Sequence, residues 1–166
     1  MSPIERVRPP EAGDELATQT GLLDFLRDTV VMKVTGLTDE QAFSRPVSPS
    51  ALTPAGIVKH LTGVERFWFS IDFAGADLEW PWTEEYPHGN FSLEPGDTLA
   101  AIVADYRTEC ARSRDVVAAA GLDDQARGEG PSFNLRYAVA HLIEETARHL
   151  GHLDLLRESI DGVVGE

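Results

Sequence analysis

Cysteine is almost absent: Cys110 is the only one in 166 residues, so no internal disulfide can form and a reducing compartment is expected. Lysine is nearly as rare, with Lys33 and Lys59 alone among the 14 basic residues. Asparagine is scarce too, while Ala, Gly, Asp and Arg are plentiful, a bias expected of a GC-rich genome. Positive charge is outnumbered: 28 acidic residues against 14 basic ones leave a net charge of −14. A surface of that sign repels a phosphate backbone and an anionic bilayer, which excludes nucleic-acid and membrane-surface partners. No apolar run reaches the ~18–20 residues of a membrane span, and the N-terminal stretch MSPIERVRPPEAGDE lacks the apolar centre of a secretion signal. Cytoplasmic localisation is expected.

What is present fits a globular chain, 42% hydrophobic and 25% charged. The length suits one domain. Pro3, Pro9 and Pro10 make residues 1–12 an irregular arm, leaving 13–166 as the folded unit. From about Asp14 to Thr35, Leu22, Leu26, Val30 and Val34 recur every four residues, which predicts a helix ended by Gly36. Thr38–Phe43 reads as a short helical turn. Thr53-Pro54 is a hydroxyl cap followed by proline at the first helical position, so a second long helix runs from there to about Phe73. A third spans about Gly96 to Ala120, and a fourth, with Ser132 as its expected cap, runs to about Ile160. With no strand pattern and no repeat, the fold class is all-α, an antiparallel four-helix bundle. Ala76–Pro95 is a long connection carrying Trp80, Trp82, Tyr86, His88 and Phe91; Trp80, Trp82 and Tyr86 either wall a substrate pocket or form a structural lid.

Chemistry concentrates on the last helix, where three of five histidines fall within twelve residues. At about 100° per residue from His141, Glu145 lies near 40°, His149 near 80° and His152 near 20°, with the apolar stripe centred at about 100°. His149 therefore points inward, Glu145 sits near the edge of the stripe, and His141 and His152 lie further out. On the second helix, His60 sits among Ile57, Leu61, Val64, Phe67, Trp68 and Ile71. A histidine and a carboxylate facing a core cost several kcal/mol unless paired or metal-bound. Two imidazoles and one carboxylate are a zinc-type ligand set with one open position. A hydrogen-bonded core histidine satisfies the same pattern, so spacing alone leaves both readings open. Glu144 and Arg148, four apart on the outer flank, are expected to pair.

Two segments carry a family resemblance. Leu52–Phe69 (LTPAGIVKHLTGVERFWF) resembles the second-helix signature of the DinB-like superfamily, and Leu135–Glu158 (LRYAVAHLIEETARHLGHLDLLRE) resembles the last helix of its actinobacterial thiol-transferase branch. Gly36–Gln41 and Tyr106-Arg107 extend the match over nearly all of the chain beyond residue 12. The resemblance implies a DinB-type four-helix bundle holding a divalent metal, usually zinc. In the wider superfamily three histidines bind it. Here the first of the pair on the last helix corresponds to Glu145, a departure shared with the mycothiol-dependent maleylpyruvate isomerase type. Carried over, the ligands are His60, Glu145 and His149. His152 becomes a residue beside the ligands or on the substrate side, and His141 a substitute ligand should Glu145 face solvent.

The activity the resemblance implies is mycothiol-dependent S-transfer to an electrophile, a detoxification chemistry with mycothiol as co-substrate. A metal-bound thiol is deprotonated, and the thiolate is the nucleophile. Cys110, on the buried side of the third helix, is read as core. Arg136, in a helix's first turn where the dipole disfavours a cation, calls for an acidic partner, either internal or on a substrate. Arg157 and Glu158 are read as bundle-surface or dimer contacts, which leaves a homodimer open. Two other readings compete: a metal-dependent isomerase or hydrolase of the same fold, and a stress-linked metal-binding module without turnover.

Overall fold

The computed structural model describes residues 5–82, 91–130 and 132–165. Within them the chain is all-helical: α1 (Glu15–Val34), α2 (Asp39–Phe43), α3 (Pro54–Glu65), α4 (Leu99–Ala118) and α5 (Leu135–Asp161). Directly after α3 the chain continues as a π-helix, Arg66–Phe73. No strand occurs among the described residues; the one ladder-type contact is an isolated antiparallel bridge between Gln125 and Asn134.

Each start is set by a side chain that satisfies an orphan backbone N–H. Asp14 accepts from Ala17, Thr53 from Gly56, and Thr98 from Ala101. Thr38 and Gln41 form a reciprocal capping box on α2. Two expected boundaries move. The third long helix starts at Leu99 because Gly96 adopts φ +96°, which a helix cannot use. The last helix is capped by Asn134, whose side chain accepts from the Tyr137 amide, and not by Ser132. Residues 124–126 pair with 133–135 through Ala126 N to Phe133 O (2.8 Å) and Leu135 N to Asp124 O (3.0 Å), and the helix starts beyond this pairing.

The long helices pack as α1 against α5 and α3 against α4, with α3 also meeting α5. Ile57, Val58, Leu61, Leu135 and Leu142 are at most 1% exposed. Each such burial contributes about 1.5–3 kcal/mol. The π-helix departs from the single α-helix expected over 53–73. Its wider turns bond Ala74 N to Phe69 O, five residues back. They bury Phe69 and Phe73 on one side and let Ser70 and Arg66 reach the buried Glu109 of α4, at 3.1 Å each.

A second ion pair lies deeper. Arg27 of α1 donates to both oxygens of Glu65 at 2.7 and 2.6 Å, with the side chains 4% and 1% exposed. No periodicity marks it, since Arg27 simply occupies a position between Leu23 and Val31 on the buried face of α1. No helix among the described residues is long and apolar enough to cross a membrane.

Candidate metal centre

His60 reaches the bundle interior from the middle of α3, and Glu145 and His149 face it from α5, one turn apart. One ligand atom from each residue lies within 4.8 Å of the other two. His60 Nε2 and His149 Nε2 are each 3.2 Å from the same Glu145 oxygen, Oε1. His60 is 3% exposed, His149 6%, and the Glu145 side chain 18%.

The electrostatics follow from that burial. Desolvation lowers the pKa of His60, opposed by its hydrogen bond with Glu145. His149 is pulled down to about 4, first by burial and then by the neighbouring His60. Glu145 stays below its ordinary value because the bonds and charge of the two imidazoles outweigh its own burial. At neutral pH the group is therefore two neutral imidazoles around one carboxylate.

That donor set fits a divalent ion. Both imidazoles are neutral, so each can present one unprotonated nitrogen, and the carboxylate oxygen is anionic, as ligands must be. Tetrahedral zinc with bonds of about 2.0–2.1 Å separates its ligand atoms by about 3.3 Å, close to the N···O distances found. Each ring must then carry its proton on Nδ1. For His149 a neighbour is present: His152 Nδ1 lies 3.3 Å from His149 Nδ1. His60 Nδ1 is buried without a hydrogen-bond partner among the described residues.

Aromatic rings enclose His60. Phe91 stacks on it at 4.1 Å and 15°, and Trp82 lies at 5.9 Å and 28°. Two glycines of α3 make room for these neighbours. A Cβ on Gly56 would lie 2.5 Å from the Phe91 carbonyl oxygen, and one on Gly63 would lie 2.8 Å from Trp82 Cζ3. Glycine inside a helix costs roughly 0.8–1 kcal/mol relative to alanine, so glycines at 56 and 63, flanking His60, were the sequence signal for this packing. Phe91, Gly56 and Gly63 are site residues that periodicity did not single out.

The remaining expected site residues are distributed as follows. Trp80 is 53% exposed and meets Phe67 edge-on at 5.0 Å, away from His60. His141 packs against Trp68 (4.5 Å) and Tyr137, outside the His/Glu/His group, and its Nδ1 is 3.6 Å from Glu144. Glu144 thus faces His141, and the expected Glu144–Arg148 pair is not formed among the described residues. Arg136 is held between Glu15 (2.7 Å) and Asp123 (2.5 Å), so its acidic partners are internal. Arg157 donates to the carbonyls of Lys33 and Thr35, tying the end of α5 to the end of α1. Cys110 is 2% exposed and burial pushes its thiol pKa up, which makes it a core side chain. Tyr86 and His88 lie outside the described residues.

Inward-facing His and Glu on two helices of a bundle define an all-helical protein with a group able to hold a metal ion. The family model for mycothiol-S-transferases matches residues 18–162, most of the chain, and the chain belongs to that family, which implies a transferase. No curated protein is similar enough to match it.

Proposed function

We propose that this protein conjugates mycothiol, through its sulfur, to a small electrophile at a divalent metal, zinc being the first candidate, held by His60, Glu145 and His149. The thiol loses its proton as the new bond to sulfur forms and the electrophile's leaving group departs. The observation that carries the proposal is the convergence of two imidazole nitrogens on one carboxylate oxygen, 3.2 Å each, inside a chain of the mycothiol-S-transferase family. A divalent ion bound there supplies a Lewis acid that keeps a thiol deprotonated at neutral pH.

The chain's own residues do the rest. His60 and His149 stay neutral because burial disfavours their charged forms. Glu145 contributes one negative charge, leaving a divalent site net positive and attractive to a thiolate. Phe91 and Trp82 cover the His60 ring and keep water from it. Cys110 takes no part, since its buried thiol is held protonated.

The test is elemental analysis of the purified protein joined to a transferase assay over a panel of thiols, with monobromobimane as electrophile. The reading expects close to one metal per chain and conjugation that is fastest with mycothiol and abolished by chelation. Metal without acceleration of conjugation for any thiol overturns S-transfer and leaves a metal-binding module. Full activity in metal-free protein overturns the role of the metal.

A further inference from the structure

A cavity of about 210 Å³ lies between α3 and α4 beside the centre, lined by Lys59, Arg66, Trp82, Asp97 and Asp105 among others. Trp82 belongs to both places. It lies 5.9 Å from the His60 ring, while its six-membered ring rests over Gly63, which also lines the cavity. Lys59 precedes His60 in sequence, and Gly63 stands one turn from both. The cavity and the His/Glu/His group are thus neighbours divided by one indole.

Its lining has a definite chemistry. Lys59 Nζ is bonded to Asp97 at 3.0 Å, which fixes one donor and leaves the other ammonium hydrogens available. Arg66 spends its Nε–H on Glu109 at 3.1 Å, and its terminal N–H groups remain. Asp105 is exposed on α4 and makes no ion pair among the described residues. A flat aromatic face, two cationic donors and a free carboxylate acceptor around a space of this size match a hydroxylated ring, whose C–H face stacks on the aromatic and whose hydroxyls both donate and accept. An apolar electrophile would leave those charged groups desolvated and unpaired.

We infer that this cavity receives the sugar-type ring portion of the thiol co-substrate, with Trp82 as the wall that turns the chain of the ligand toward His60. The inference rests on the proposed function for the identity of the thiol. Mycothiol consists of cysteine joined to a glucosamine–inositol unit, so one end offers sulfur and the other hydroxylated rings. Trp82 and Asp105 are then specificity-determining residues for the thiol.

The experiment is a calorimetric and fluorescence titration of the purified full-length protein with the glucosaminyl-inositol fragment, which has no sulfur and cannot react. It is paired with mycothiol kinetics for wild type, Trp82→Ala and Asp105→Ala. The expected result is fragment binding to wild type, at least tenfold weaker in Trp82→Ala and about fivefold weaker in Asp105→Ala. Mycothiol KM rises in parallel in both variants and by a larger factor than kcat falls, and the ratio of mycothiol KM to N-acetylcysteine KM rises as well. Asp105, on an exposed face of α4, keeps the test available should Trp82→Ala unfold. Turnover of mycothiol by wild type without fragment binding, or fragment binding indifferent to both substitutions, overturns this inference and leaves S-transfer standing. Fragment binding that depends on both residues, in a protein that conjugates no thiol, upholds the cavity and overturns the transferase reading instead.

Discussion

The backbone of Phe91 lies against Gly56: its carbonyl oxygen is 2.5 Å from where a Cβ on that glycine would stand, and the Phe91 ring stacks on His60 at 4.1 Å. Gly56→Ala therefore trades a helix-propensity gain of about 1 kcal/mol for a clash with backbone, and the clash wins. Net destabilisation of about 1–3 kcal/mol is expected in denaturant unfolding. Gly151→Ala on α5, where a Cβ meets nothing within 4 Å, is the matched control and gains up to about 1 kcal/mol. Equal gains at both positions would show that Phe91 is not seated on α3.

Arg27 and Glu65 form the deepest ion pair among the described residues. Removing one partner strands a buried charge at a cost of about 3–5 kcal/mol, whereas replacing both with apolar residues is often near neutral. Arg27→Met and Glu65→Leu are each expected to lower Tm by roughly 10 °C, and the double variant by less than either single. Additive losses would mean that the two side chains do not depend on each other.

His152 stands 3.3 Å from His149 through their Nδ1 atoms. With a metal on His149 Nε2, the His149 proton would sit on Nδ1 and His152 is placed to accept it. Neighbours of this kind typically contribute 10–100-fold in metal affinity. His152→Ala is expected to weaken zinc binding at least tenfold in a competition with a chromophoric chelator, with the helical circular dichroism unchanged, and His152→Gln to recover part of the loss.

Protonation gives a signed prediction for the metal-free protein. His149 titrates at about 4 when folded, below the ~6.5 of an unperturbed imidazole, so between those values the unfolded chain binds the extra proton. The stability that the neutral ring contributes is complete above about pH 6.5 and is lost as pH falls toward 4. His60 is shifted the same way. Unfolding midpoints of chelator-treated wild type should drop through this window, and the drop should be smaller in His149→Gln. An identical pH profile in that variant would contradict the burial-driven shift.

Much of this architecture was legible in residue order. The four-residue spacing from Leu22 to Val34 and the Thr53-Pro54 start correspond to α1 and α3, because caps and apolar period are local properties. The inward direction of His149 and the intermediate position of Glu145 followed from helix angles, and their proximity to His60 arises only when α3 and α5 pack together. The π-helix had no signal, since its wide turns are stabilised by long-range bonds from Arg66 and Ser70 to Glu109. The shift of the last cap from Ser132 to Asn134 depends on backbone pairing with residues 124–126, which no local pattern encodes. Arg27–Glu65 was hidden because two charged residues, 38 positions apart, meet only after folding.

The proposed chemistry requires the sulfur of mycothiol to dock at a metal held by His60, Glu145 and His149. Its most direct test is the near-ultraviolet absorption of the cobalt-substituted protein during titration with mycothiol. The account predicts a sulfur-to-cobalt charge-transfer band that saturates at one thiol per chain and is missing in His60→Ala and His149→Ala, which fold but retain no stoichiometric metal. A cobalt spectrum unmoved by mycothiol, or His60→Ala and His149→Ala proteins that still hold one metal each, would contradict it.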